Sequence, residues 1–258
     1  MKPVLVTIPV SHYSEKARWA LTWAGIEFEE RANAPAFHQF ANRKIGGGRT
    51  VPVLATDDGV FPDSTDILRW IDARMPDDTR LFGDDPIGKE AARLEDIFDE
   101  KMGKMVRRAA YGTLLPHPQL IKSLLTSRIS PFQARVMSAL FPVLLKQMVR
   151  LYKINPKGIA EAEQRIQEQF DLAASLLADG RPFLAGDRFT AADITFCALG
   201  APMVMPPEYG GPLPQVSSLP ADIHTKLQRW IDHPAGQYIL RIYASHRNMK
   251  AKSSILAP

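Results

Sequence analysis

Strand-like patterning in this chain stops near residue 86, and that change of period constrains the fold more than any single motif. Before it, strand and helix signals alternate. "PVLVTI" (residues 3–8) is a short continuous apolar run, the pattern of a strand covered on both faces. Ala17, Ala20, Leu21 and Ala24 then recur at helical spacing, and Gly25 stops the helix. "IEFEERA" (26–32) reads as a second strand, followed by a polar stretch with "IGGGRT" (45–50). In "VPVLATDDGVF" (51–61), Asp58-Gly59 falls between two apolar runs, a hairpin signal. Asp63 or Ser64 can cap a helix whose apolar face is Ile67, Leu68 and Ile71. The predicted order is βαβ, then ββα.

Beyond residue 86 only helical patterning remains. "IGKEAARLEDIFDEKMGKMVRRAAYG" is helical in composition, and residues 158–180 put Ile159, Ala162, Ile166, Phe170, Ala173 and Leu177 on one stripe. "FTAADITFCALGAP" (189–202) opens with Thr190-x-x-Asp193, a capping-box pattern read as structural. Six prolines between 202 and 220 predict a rigid loop, and two short helices close the chain. The expected organisation is a small α/β domain over 1–80 and an all-helical domain over 86–258.

Composition excludes several function classes. No apolar run reaches the roughly 18–20 residues that a membrane span needs, and the N-terminus carries no apolar signal region, so a cytoplasmic protein is expected. The single cysteine, Cys197, rules out an internal disulfide; it lies in an apolar helix and reads as a core residue. The six histidines show no paired ligand spacing, so no metal site is indicated; His12 is read as exposed. Charge is uneven: residues 1–85 carry 10 Lys/Arg against 13 Asp/Glu (−3), residues 86–258 carry 22 against 15 (+7). Residues 101–160 hold 11 Lys/Arg and no acid, a stretch that favours anions. Without an aromatic stacking ladder or a recognised motif, nucleic-acid binding is not expected.

The junction of the first strand and helix carries the chemistry. "SHYSEKARWAL" (11–21) sets Ser11 and Ser14 around His12 and Tyr13 at a helix start. As bare sequence, a serine there is most often an N-cap. The same place suits an anion, because helix N-terminal amides and a hydroxyl donor converge on it.

Four motifs occur in register: "SHYSEKARWAL", "TVPVL" (50–54), "PDSTDILRWID" (62–72) and "FLAGDRFTAADITF" (183–196). Together they resemble the cytosolic glutathione S-transferase superfamily over nearly the whole chain. The resemblance implies a thioredoxin-like α/β N-terminal domain, an all-α C-terminal domain, and glutathione as co-substrate. With no tyrosine in the first strand, it implies a serine-type enzyme. Ser11 is then the hydroxyl that holds the glutathione thiolate, Ser14 the fallback and helix cap, and Tyr13 a further donor. A free thiol with a pKa near ~8.5 is mostly protonated at neutral pH, so a donor that lowers it makes the nucleophile.

The resemblance also makes Pro52 a cis-proline, with Val51 pairing by its backbone to the cysteinyl part of glutathione. Asp63 and Ser64 match the positions that bind its γ-glutamyl end, although many members carry Glu where Asp63 stands. Arg49 and Lys44 are candidates for the glycine carboxylate, or plain surface charges. Tyr111, Met102, Met105 and Arg108 lie on the helix expected to wall an acceptor pocket for an apolar electrophile. The resemblance implies a homodimer. The alternative reading is a non-catalytic binding protein for apolar anions, or one that touches an anionic membrane surface through 101–160.

Overall fold

The computed structural model describes residues 1–251. Its sheet has four strands in the order β2-β1-β3-β4. β1 (Val4–Thr7) runs parallel to β2 (Glu29–Ala32) and antiparallel to β3 (Val53–Thr56), which pairs antiparallel with β4 (Gly59–Phe61). All four residues of β1 are buried, as its unbroken apolar run requires. β2 is the exposed edge, and only the second half of the predicted 26–32 strand pairs.

α1 (His12–Trp23) follows β1 and is closed by Gly25, whose φ of +70° is the left-handed conformation that a helix end favours. α2 (Phe37–Lys44) was not predicted, and the reason is local. Its N-cap is Ala36 at φ 72°, with no side-chain cap, so no sequence signal announces it. Packing and the hydrogen bonds of Asn42 hold it in place instead. α3 (Ser64–Asp72) is capped by the Asp63 carboxylate, which accepts from the Thr65 amide at 2.8 Å, and it buries the predicted Ile67, Leu68 and Ile71.

The single helical stretch expected after residue 86 breaks in two at Met102, giving α4 (Pro86–Lys101) and α5 (Gly103–Leu114). A side chain at Gly103 would lie 2.1 Å from the Tyr13 hydroxyl oxygen, so a bare backbone is needed where α5 meets α1. α6 (Pro118–Thr126) and α7 (Pro131–Leu151) precede α8 (Pro156–Leu177), which buries Ala162, Ile166, Phe170 and Ala173 of the predicted stripe. α9 (Ala191–Val204) is the axis of the helical part. All 14 of its residues are buried, packed by α1, α4, α5, α10 (Ala221–Asp232) and α11 (Pro234–His246). Among the described residues no strand follows β4, apart from one isolated Phe183–Gly186 bridge. The architecture is a thioredoxin-like α/β domain followed by an all-α domain.

The capping box at Thr190 is present and buried. Asp193 accepts from the Thr190 amide (2.8 Å), the Thr190 hydroxyl (3.0 Å), the Leu184 amide (2.9 Å) and the Tyr238 hydroxyl (2.5 Å). Cys197 lies in the same core with burial pushing its thiol pKa well up, so no reactive thiolate forms there. Among the described residues no helix is long and apolar enough to cross a membrane, and no group of three potential metal ligands occurs.

Candidate functional site

A cleft of about 670 Å³ lies between the sheet end of the α/β part and the helices α5, α6 and α7. Ser11, Tyr13, Arg49, Val51, Pro52, Asp63 and Ser64 all line it, brought together from three separate segments. Lys44 does not reach it; the residue is exposed in the last turn of α2. Ser14 does not reach it either, being buried within α1.

Ser11 is the N-cap of α1, its Oγ accepting from the Ser14 amide at 3.3 Å. That corrects the expected division of labour in which Ser14 served the helix: the Ser14 hydroxyl is fully buried and has no partner. The reason is register. Ser14 is the third helical residue, where the amide takes the cap's hydrogen bond and the side chain turns into the packed face. The Ser11 hydroxyl hydrogen stays uncommitted, and the amides of His12 and Tyr13 have no acceptor among the described residues. One hydroxyl donor and two helix-terminal amides therefore face the cleft, a setting that stabilises a negative charge.

The loop that delivers Ser11 is clamped from both sides. Arg18 donates to the Pro9 carbonyl at 3.1 Å and pairs with Glu30 at 2.7 Å. The Tyr209 hydroxyl donates to the Val10 carbonyl at 3.1 Å. Glu15, fully buried, accepts from Arg247 at 2.6 Å and from the Gly210 amide at 3.0 Å. These contacts reach up to 232 positions along the chain, so the helical part fixes the position of an N-terminal hydroxyl.

His12 is buried, contrary to the expected exposure. Its Nε2 donates to the Gly103 carbonyl at 3.0 Å, and burial followed by the nearby Arg107 charge lowers its pKa to about 3. It is a neutral bridge from α1 to α5. Tyr13 packs against the His12 ring with centroids 4.8 Å apart, and burial ahead of the Asp99 charge pushes its hydroxyl up, so it stays protonated.

The opposite rim is the bend before β3. The Val51–Pro52 peptide bond is cis, and the Val51 backbone has no hydrogen-bond partner among the described residues. Two residues of α2 hold the bend. The Asn42 amide donates to the carbonyls of Gly48 (3.0 Å) and Thr50 (2.7 Å), and the His38 Nε2 donates to the Arg49 carbonyl at 3.0 Å. Neither residue stood out in the sequence, since the helix that carries them has no cap signal. Ser64, the first residue of α3, is 1 % exposed with its hydroxyl unpartnered, while Asp63 stays exposed as the cap.

α5 supplies a wall, but through a different face from the one expected. Met102 is buried in the core and Met105 packs against it; Arg108 donates to the Tyr152 (2.9 Å) and Gly158 (3.3 Å) carbonyls, tying α5 to α8. Of the four expected residues only Tyr111 lines the cleft, joined by Lys104 and Arg107. The signal was present: Met102, Val106, Ala109 and Thr113 form the apolar stripe that turns inward, and 104, 107 and 111 lie off it at i, i+3 and i+7.

Comparison with known proteins agrees with the fold. A family model described as "Glutathione S-transferase, N-terminal domain" matches residues 5–79, and one described as "Glutathione S-transferase, C-terminal domain" matches residues 156–233. A search of curated proteins found no significant match. Among solved structures, a glutathione S-transferase of Ceriporiopsis subvermispora in complex with glutathione is 18 % identical, covers 98 % of this chain and 100 % of its own, and superposes with a TM-score of 0.61. A glutathione transferase from Phanerochaete chrysosporium (15 % identity, 95 % and 97 % coverage, TM-score 0.60) and a beta-etherase from Sphingobium sp. (20 % identity, 93 % and 99 % coverage, TM-score 0.59) share the fold.

Proposed function

The chain belongs to the glutathione S-transferase superfamily, and on that premise we propose that it is a glutathione transferase whose Ser11 hydroxyl ionises the bound thiol. The observation that carries this reading is the Ser11 hydroxyl itself, which caps α1 through its oxygen and keeps its hydrogen for the cleft, beside two unused amides. Donation to sulfur and the helix terminus both favour the thiolate, which is the nucleophile.

The remaining roles follow the lining of the cleft. Val51 offers an unpaired backbone edge to the cysteinyl part of glutathione, and Pro52 shapes the bend that presents it. Asp63 and the partnerless Ser64 hydroxyl take the γ-glutamyl end, with Arg49 for the glycine carboxylate and Lys44 outside the cleft. The thiolate sulfur then forms a bond to an electrophilic carbon of the acceptor; a leaving group departs with its electron pair, or an activated double bond takes up a proton from water. The protein contributes position and ionisation. Tyr13 lines the cleft beside Ser11 as a further donor, its hydroxyl 3.5 Å from the Asp99 carbonyl.

Titrating the ultraviolet thiolate absorbance of glutathione in the complex tests the proposal. A thiol pKa below that of free glutathione is expected; an unchanged pKa would defeat it. The homodimer implied by the family resemblance is tested by light scattering on the purified chain.

One observation favours a second reading, a non-catalytic binding protein. The outward face of α7 exposes Phe132, Leu140 and Val143 among Arg135, Lys146 and Arg150, a pattern suited to an anionic membrane surface. Salt-sensitive co-sedimentation with anionic vesicles, without thiol activation, would support the non-catalytic binding reading instead.

A further inference from the structure

We propose that the acceptor held in this cleft is an aryl carboxylate, its negative charge paired by Arg107 and its ring placed against Tyr111 and Tyr152. The inference rests on the transferase reading above and names the substrate class for that same site.

Two adjacent arginines on α5 have opposite fates. Arg108 spends its guanidinium on the Tyr152 and Gly158 carbonyls and on Glu161 at 3.4 Å. Arg107 lines the cleft and makes no hydrogen bond or ion pair among the described residues, and its Nε is buried without a partner. A half-buried guanidinium with unmet donors is costly unless something supplies the acceptors. Its planar fork fits a carboxylate through two parallel bonds better than a lysine ammonium would.

The residue is also held in place. Its guanidinium carbon sits 4.4 Å from the centroid of the Tyr152 ring, and the Tyr152 ring stacks on Tyr111 at 6.0 Å and 20°. Both tyrosines line the cleft. An aromatic wall beside a fixed cation is a site for a flat anion.

Among the described residues no carboxylate pairs with that cation, and the two that line the cleft are Asp63 and Asp99. Asp99 is taken by Lys16 at 2.6 Å, and Asp63 caps α3. Lys104 adds a second positive charge to the same wall. Leu114, Leu124 and Met205 complete the lining with apolar surface for the rest of the acceptor.

The test measures binding of 4-phenylbutanoate and of 4-phenylbutanamide, matched in shape and differing in charge, to the full-length protein saturated with glutathione. Isothermal titration of wild type should favour the acid by about tenfold or more, as charged hydrogen bonds require. The preference should vanish in Arg107→Gln and survive in part in Arg107→Lys, which keeps the charge and loses the fork. Equal binding of acid and amide by wild type would overturn the proposal. So would a preference that Arg107→Gln leaves intact. If Arg107→Gln weakens glutathione itself by the same factor, the arginine serves the tripeptide and the acceptor assignment falls. Wild type that does not bind glutathione would defeat the transferase reading first, and the acceptor assignment with it.

Discussion

The imidazole Nε2 of His12 lies 3.0 Å from the carbonyl oxygen of Gly103, joining the first turn of α1 to the first residue of α5 across 91 positions of chain. A carbonyl only accepts, so Nε2 carries the hydrogen, and burial with the nearby Arg107 charge keeps the ring neutral. The contact docks the residues beside Ser11 onto the helix that walls the cleft.

This neutral histidine makes stability depend on pH. Its folded pKa of about 3 lies below the ordinary 6.5, so the unfolded chain takes up the proton first on acidification. The contribution is complete above pH 6.5 and is lost as pH falls from there to about 3. Between about pH 7.5 and about pH 5, wild type should lose roughly 2 kcal/mol more than His12→Gln, whose amide can still donate to Gly103. Urea unfolding at both pH values checks this; parallel losses in the two proteins would refute it.

Ser11 and Ser14 should separate cleanly. Ser11→Ala removes the cap acceptor and should cost about 1 kcal/mol of stability, and it should raise the pKa of bound glutathione toward the free value. Ser14→Ala deletes a buried hydroxyl without a partner, so stability should hold or rise slightly. Thiolate absorbance together with thermal unfolding reads both effects. A thiol pKa that shifts in Ser14→Ala and not in Ser11→Ala would reverse the assignment.

Lys16 sits at the seam of the two domains with no exposed side-chain surface, pairing with Glu95 and with Asp99 and donating to the Thr65 hydroxyl at 3.0 Å. Lys16→Met leaves a buried carboxylate uncompensated and should destabilise by about 3–5 kcal/mol. Adding Glu95→Leu should restore a large part of that. Denaturant midpoints of the single and double variants decide; a single variant within experimental error of wild type would show that the network is not structural.

Asp193 accepts from four donors inside the core, so Asp193→Ala strands all of them at once. A loss above about 3 kcal/mol is expected. Soluble, fully stable Asp193→Ala would contradict a folding role for the Thr190 capping box.

Much of this was legible residue by residue. Apolar runs and caps announced β1, α1, the hairpin and α3, because those signals are local: a buried strand must be apolar, and a helix start needs an acceptor for its amides. The Thr190–Asp193 box and the α8 stripe were readable for the same reason. α2 was not, since Ala36 supplies no cap and the helix depends on hydrogen bonds to the Gly48–Thr50 loop.

The sequence by itself determined where strand patterning gives way to helices, which helices with local caps begin where, and which serines, which proline and which acid share a motif order. The tertiary structure alone decided which of them meet. Periodicity reports that a helix face is buried, not what buries it; so Arg107 and Arg108, neighbours in sequence, could be told apart only once α8 claimed one and left the other facing the cleft. His12 is the same case. Its neutrality comes from burial and from the nearby Arg107 charge, which outweigh the opposing hydrogen bond to Gly103, and no local pattern encodes these contacts across the domain seam.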